Sequence, residues 1–230
     1  IHFRRQCAPK LIYSKSFELG AFMKGMRLVV SDQRLVTLMT ESHLSNNLEN
    51  QFLIAMPQLG GSYFANTVTY LWKHNEEGAL GIVINKPLRA CIADIFDELD
   101  IICDIEGDRF HMQHVLAGGP VERDKGFIIH DSGNQWESSI SLAPNITICT
   151  SKTILKDIAA GCGPNNFLVA LGCAGWEAGQ LEQEIVENAW LTAPANSEVI
   201  FSSNYGSKAR EAAALLGIDL QQISPEAGHS

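Results

Sequence analysis

Apolar and polar positions alternate in a way that divides most of the chain into short extended runs, with a few helical stretches between them. Gln51 opens FLIAMP, an unbroken apolar run ended by Pro57 that reads as a buried strand. Thr67–Lys73 (TVTYLWK) and Ala79–Asn85 (ALGIVIN) are rich in β-branched and aromatic residues. The intervening His74-Asn75-Glu76-Glu77-Gly78 supplies turn chemistry, so the pair predicts a hairpin. Ile92, Ile95, Phe96 and Leu99 then recur at i, i+3, i+4 and i+7, which predicts an amphipathic helix with Asp94, Asp97, Glu98 and Asp100 on its solvated face. Short strands are expected at 114–117, 126–130, 139–142 and 146–150. Ser151 is placed to cap a helix through Ile154, Leu155 and Ile158 that stops at Gly161.

The most informative stretch is LVALGCAGWEAGQLEQEIVENAWL, Leu168–Leu191. Its apolar start predicts a strand to Leu171. Gly172, Gly175 and Gly179 predict a tight corner, and Leu181, Ile185 and Ala189 at four-residue spacing predict a helix with Asn188 as its stop signal. Backbone N–H groups at such a corner can approach an anion, although a short turn alone also requires glycine. A strand at 198–202 and a helix over 208–216, closed by Gly217, complete the pattern. About eight strands and four helices, mostly hairpins with helices inserted later, favour an α+β fold over strict alternation.

With 230 residues, 46% of them hydrophobic, the chain suits one sizeable domain. Its charge is uneven. Residues 1–38 carry seven Lys and Arg against two acids (+5), whereas residues 39–230 carry ten against twenty-four (−14). Residues 1–38 are therefore expected to be an N-terminal extension, disordered or outside the native protein, and 39–230 the folded domain. An acidic body is a poor partner for phosphate, so direct nucleic-acid binding is not expected, nor is a membrane span. The six cysteines are widely spaced without a C-x-x-C pair, which is consistent with reduced thiols in the cytoplasm.

Few motifs carry chemistry. His111 and His114 form an H-x-x-H pair without a third ligand at a known spacing, so no metal or other cofactor is expected. His130, at a strand end, could act as a general base with Glu122 or Asp124 as its partner, and the pairing with Glu122 is the basis of a hydrolase reading. Cys173 stands at the glycine corner, where a helix N-terminus could activate a thiol, but no base is placed beside it in sequence. Gly118-Gly119-Pro120 lacks the three-glycine dinucleotide fingerprint, and no P-loop lysine follows any glycine.

HNEEGALGIVINKP (His74–Pro87), LAGGPVERDKGFIIH (Leu116–His130), the Leu168–Leu191 stretch and the closing LGIDLQQISPEAGHS together resemble the YqgE/AlgH family, in order, from about Asn47 onward. That resemblance implies a bacterial cytoplasmic protein with a bifurcated sheet curled into a pseudo-barrel and flanked by helices. The family is described as uncharacterised, sometimes labelled a transcriptional regulator, and offers no agreed catalytic residues. Its members usually have an aromatic where Cys173 stands. Weighing polar residues near the glycine turns, we expect a small-molecule or protein-binding module ahead of an enzyme or a regulator acting without direct DNA contact. The candidate ligand contacts are His74, Asn75, Asn85, Lys86, Gly118, Gly119, Glu122, His130, Gly175 and Gln180.

Overall fold

The sheet forks at Gly172, and the fork determines how everything else is placed. We describe residues 47–105, 107–131 and 135–220 of a computed structural model; the expectation for residues 1–38 lies outside them. Among the described residues ten strands run in the order 190–194, 51–55, 68–75, 78–83, 167–177, 121–130, 146–149 and 139–143, with 87–91 paired to 114–117 and 114–117 also to 167–177. Among the described residues the sheet curls into a half-barrel accompanied by six α-helices.

The first meander is β1 (Gln51–Ala55), β2 (Val68–Asn75) and β3 (Gly78–Val83), all antiparallel. The hairpin loop is tighter than the sequence suggests. Asn75 already pairs with Gly78, and the Asn75 side-chain oxygen accepts from the Glu77 N–H at 3.0 Å. Next come β4 (Pro87–Cys91), which the residue pattern did not reveal, and α1 (Ile92–Glu98). The start of α1 is closed by the Asp94 carboxylate, which accepts from the Cys91 N–H at 2.7 Å and lowers its own pKa mainly through that bond. Further on lie α2 (Arg109–Met112), β5 (His114–Ala117), β6 (Val121–His130), β7 (Ser139–Ala143), β8 (Ile146–Cys149) and α3 (Thr153–Ala159).

The Leu168–Leu191 stretch corrects the expected corner. Instead of turning at Gly172, the chain continues as one eleven-residue strand, β9 (Phe167–Glu177), and turns at Gly179 before α4 (Gln180–Val186). Gly172 (φ +74) marks a kink within the strand. On one side of β9, β6 pairs from Val121 to His130; on the other, β5 pairs in parallel at Ala170–Leu171 and β3 antiparallel from Ala174 to Glu177. The forked ends are joined through Gly118, whose N–H donates to Leu171 O and whose carbonyl accepts from Val83 N–H, both at 2.8 Å. No side chain fits there. A Cβ on Gly119 would lie 1.9 Å from the Cys173 carbonyl carbon, and one on Gly118 2.3 Å from Gly172 O.

Two further expectations change. Helix α4 stops at Val186 because Asn188, at φ 59, reverses the chain and lets Ala189 N–H reach Glu184 O at 2.8 Å. Residues Trp190–Pro194 then form β10, which pairs with β1 and which the four-residue spacing through Ala189 had concealed. The run expected as a strand at 198–202 is helix α5 (Ser197–Phe201), because Asn196 caps it by accepting from Glu198 N–H at 2.7 Å. Helix α6 (Lys208–Ala214) follows.

Alternation along the strands sends residues to two apolar layers. Phe127, Ile129, Leu168 and Ala170 join Phe52, Tyr70 and Ile82 under α5 and α6, while Ile128, Phe167 and Val169 pack with α1, α2 and α3. A third cluster gathers Leu53, Leu71, Trp176, Leu181 and Trp190 at the α4 end. No helix among the described residues is long and apolar enough to cross a membrane.

Candidate functional site

Most of the polar residues singled out in the sequence are committed to the fold itself. The His74 ring is buried: its Nδ1 accepts from Leu48 N–H at 3.1 Å, which leaves Nε2 to donate to Glu182 at 2.8 Å. Asn75 shapes the hairpin. Asn85 accepts from Val68 N–H at 2.8 Å and donates to Asn66 O at 2.9 Å, tying the two strand ends together. Lys86 donates to Tyr63 O at 2.9 Å and sits 3.6 Å from the Tyr63 ring centroid. Gln180 accepts from Glu177 N–H and donates to Glu184 at 2.9 Å. The other Glu184 oxygen accepts from both Trp176 and Trp190 indole N–H groups, at 2.8 and 2.7 Å.

The glycines behave likewise. Gly118 and Gly119 are filled against β9, and Gly175 lies within the strand, where an added Cβ would meet Leu80 and Val121 only at ordinary contact distance. Cys173, expected at a helix N-terminus, is buried in mid-strand instead. Burial pushes its thiol pKa up, Glu122 adds to that, and Lys125 opposes it. This is the environment of a passive thiol, not an activated one.

Glu122 and His130 do not meet. Both belong to β6, but Val121 pairs with Cys173 and His130 with Phe167, which puts them roughly 20 Å apart along β9. Between them, residues 122–125 swell out as a bulge in which Glu122 adopts φ 47 and pairs with Lys125 at 3.2 Å. His130 is 2% exposed and stacks edge-on to Trp136 at 5.1 Å; its Nδ1 donates to Asp131 O at 2.6 Å and its Nε2 has no partner among the described residues. Burial lowers its pKa, against the opposing effects of the Asp131 carbonyl and carboxylate. The dyad of the hydrolase reading is absent from this geometry. Among the described residues no group of three His, Cys, Asp or Glu converges on a metal position, and His111 lies in α2 while His114 opens β5.

Open space lies elsewhere, where the end of β6 and the start of β9 face the connection between α5 and α6. Two adjoining grooves of about 420 and 390 Å³ share Asn166, Phe201 and Ser202. The first adds Asp131, Asn145, Ser197 and Glu198; the second adds Arg109, Gln113 and Tyr205 among others. Asp131 is fixed by Asn166, whose backbone N–H and side-chain amide both donate to Oδ2, at 3.1 and 2.8 Å. Asp131 Oδ1 has no partner among the described residues. Arg109 donates to Asn165 O at 3.2 Å and lies over the Phe110 and Phe167 rings.

The groove wall is itself anchored by an unusual group. Lys208 is fully buried, donates to Ile200 O across the α5–α6 connection and lies 5.6 Å from the Tyr205 ring centroid. Burial brings its pKa down to about 8, with Glu211 opposing. None of these groove residues was singled out in the sequence. The available signal was position: Asp131 directly follows the apolar FIIH, and Asn165-Asn166 directly precedes FLVAL, so polar residues flank paired strand ends.

A forked, half-barrel α+β sheet with a polar groove at its strand ends is the class of protein defined here. The chain belongs to the AlgH-like family, whose profile matches residues 52–221. It is 45% identical over 186 residues to a UPF0301 protein of Thioalkalivibrio sulfidiphilus, covering 81% of this chain and 98% of that one. A UPF0301 protein of Hahella chejuensis is also 45% identical, over 185 residues, 80% of this chain and 97% of the other. The solution structure of AlgH from Pseudomonas aeruginosa superposes with a TM-score of 0.65 at 42% identity, covering 81% and 97% of the two chains. A Corynebacterium diphtheriae protein shares the fold at 18% identity and a TM-score of 0.51, covering 78% of this chain and 89% of that one. The expected bifurcated sheet is the observed one, with its branch point at Gly172 and its wedge at Gly118-Gly119.

Proposed function

We propose that the protein is a binding module that takes a small polar ligand in the groove between the β6 and β9 ends and the α5–α6 connection. The observation that carries this reading is the contrast in hydrogen bonding. His74, Asn85, Lys86 and Gln180 use their polar atoms on their own chain, whereas exposed Arg109 at the groove spends one of its five donors on Asn165 O, and Asp131, oriented by Asn166, keeps a buried Oδ1 without a partner among the described residues. The guanidinium donors that the fold leaves unspent at the groove are the ones a ligand acceptor can engage. The groove volumes suit a metabolite-sized molecule.

A metabolite screen by thermal shift tests the reading, using the wild-type chain and Asn166→Ala side by side. A ligand at about a hundred times its Kd stabilises by about 2.7 kcal/mol, enough for a clear rise in melting temperature. The expected result is at least one stabilising compound whose effect disappears in Asn166→Ala. Hits that stabilise both proteins equally would place the site outside the groove.

A further inference from the structure

The two adjoining grooves differ in charge. Asp131 and Glu198 line the first, whereas Arg109 is the one charged residue among the described residues that line the second. A cation standing alone runs against the rest of the domain, since residues 39–230 carry a formal charge of −14.

Arg109 is exposed, yet it is held in place. It donates to Asn165 O at 3.2 Å, and its guanidinium carbon lies 5.6 and 5.8 Å from the centroids of the buried Phe110 and Phe167 rings. A cation restrained in this way loses less rotamer freedom when it engages a ligand than a free surface arginine does. The bond to Asn165 is its only hydrogen bond among the described residues, which leaves four of its five N–H donors unspent, and no ion pair among those residues includes it.

The rest of this groove offers apolar surface. Met112 is 77% exposed, a flexible thioether turned to water, and Phe201 and Tyr205 are half-buried on the α5–α6 side. Burial raises the Tyr205 pKa, against the opposing bond to the His114 backbone, so its phenol stays neutral and adds no negative charge. The Gln113 side-chain N–H is already spent on Phe167 O at 2.7 Å.

We propose that the second groove takes a monocarboxylate with an apolar, aromatic body, its carboxylate paired with the Arg109 guanidinium and its ring against Met112, Phe201 and Tyr205. The planar fork of guanidinium donors matches a carboxylate in bidentate fashion. One cation balances one negative charge, and Asp131 and Glu198 in the neighbouring groove repel a second, which selects against phosphate dianions and dicarboxylates. Sulfur and aromatic rings in the wall favour an aromatic body over a purely polar one. This assignment rests on the groove region being the binding site, and it narrows the polar part of the ligand to a single carboxylate.

Titration of ¹⁵N-labelled protein at neutral pH with trans-cinnamate, cinnamamide, acetate and phenyl phosphate, followed at the Phe167, Ser203 and Tyr205 backbone amides, tests it. Cinnamate is expected to shift these resonances. Cinnamamide, which lacks the charge, and acetate, which lacks the body, are each expected to bind at least tenfold more weakly, and phenyl phosphate more weakly than cinnamate. Arg109→Gln is expected to bring cinnamate down to the level of cinnamamide, with Arg109→Lys, which keeps the charge without the fork, in between. The four probes act on the unaltered chain, so the test holds even if a variant folds poorly. Equal binding of cinnamate and cinnamamide at these amides would overturn the carboxylate, equal binding of acetate the apolar body, and tighter binding of phenyl phosphate the single charge; each of these leaves the groove standing. Absence of any shift with cinnamate would overturn the assignment outright, and the groove would then be judged by whether the hits of the metabolite screen lose their effect in Asn166→Ala.

Discussion

The α4 end of the sheet and the groove end use the same kinds of side chain to opposite effect. At the α4 end one carboxylate, Glu184, accepts from two indoles and a glutamine, and His74 is bonded through both ring nitrogens. At the groove end Asp131 is bonded through one oxygen only, and Arg109 gives one of its donors to a loop carbonyl. Buried polar networks are tolerated when every member is satisfied, and such networks specify a fold. Residual capacity beside open space, such as the unspent Arg109 donors, is what the proposed ligand site rests on. Chemical type alone therefore does not distinguish a structural histidine or glutamate from a ligand contact; the balance of donors and acceptors does.

Substitutions at the two ends should separate accordingly, and the largest effect is expected at the fork. Gly119→Ala puts a methyl group inside the Cys173 backbone, so we expect a loss above about 4 kcal/mol, read as aggregation or as a collapse of the urea midpoint. Gly175→Ala, with its nearest neighbours at 3.6 and 3.8 Å, should fold, and equal damage from both would show that the fork has been misplaced. Trp176→Ala removes a 6% exposed indole and one of the two donors to a Glu184 oxygen, for an expected loss of about 3–5 kcal/mol in urea denaturation. Cys173→Ser should cost on the order of 1 kcal/mol, and a greater loss there than at Trp176 would reverse the comparison.

Lys208 offers a pH test at the groove wall. Its folded pKa is lowered to about 8 from 10.5, so below about pH 8 the buried charge is carried at full cost. Between about pH 8 and 10.5 the unfolded chain binds the proton and the folded chain does not, so stability should rise with pH, by up to about 3 kcal/mol in total. Lys208→Met should abolish that rise relative to wild type; an unchanged alkaline profile would mean that Lys208 is not the group responsible. The smallest effect is expected at the groove itself. Arg109→Gln should alter stability by no more than about 0.5 kcal/mol, and a loss of several kcal/mol would make Arg109 part of the scaffold.

How far the sequence discloses this depends on how locally each feature is encoded. The β2–β3 hairpin and α1 are visible because their periodicity and turn residues are contiguous. Helix α5 is not: five residues, SEVIF, are too few to show a helical period, and their β-branched content reads as strand until the Asn196 cap is given weight. Strand β10 is hidden behind a helix whose four-residue spacing runs on by chance to Ala189. The fork is harder still, since Gly172 reads as a turn unless it is known that Gly119 and Val121 approach it from elsewhere in the chain. The groove is non-local in the same way. Arg109, Asp131, Asn166 and Phe201 come from four separate segments, and nothing in their spacing announces that they converge.

The forked strand also bears on how the chain finds its fold. Gly78 pairs with Glu177 roughly a hundred residues later, while the other end of β9 pairs with β6 and β5. Loop-closure entropy penalises such distant pairings, so the sheet cannot be completed hairpin by hairpin from the N-terminus. The β1–β2–β3 meander and the β7–β8 hairpin can form locally, but they remain separate until β9 docks between them. Docking of β9 is thus the step on which cooperative closure depends. Refolding on the millisecond-to-second scale, with amide exchange slowest along Phe167–Ala174, would be the kinetic signature of that late-arriving central strand.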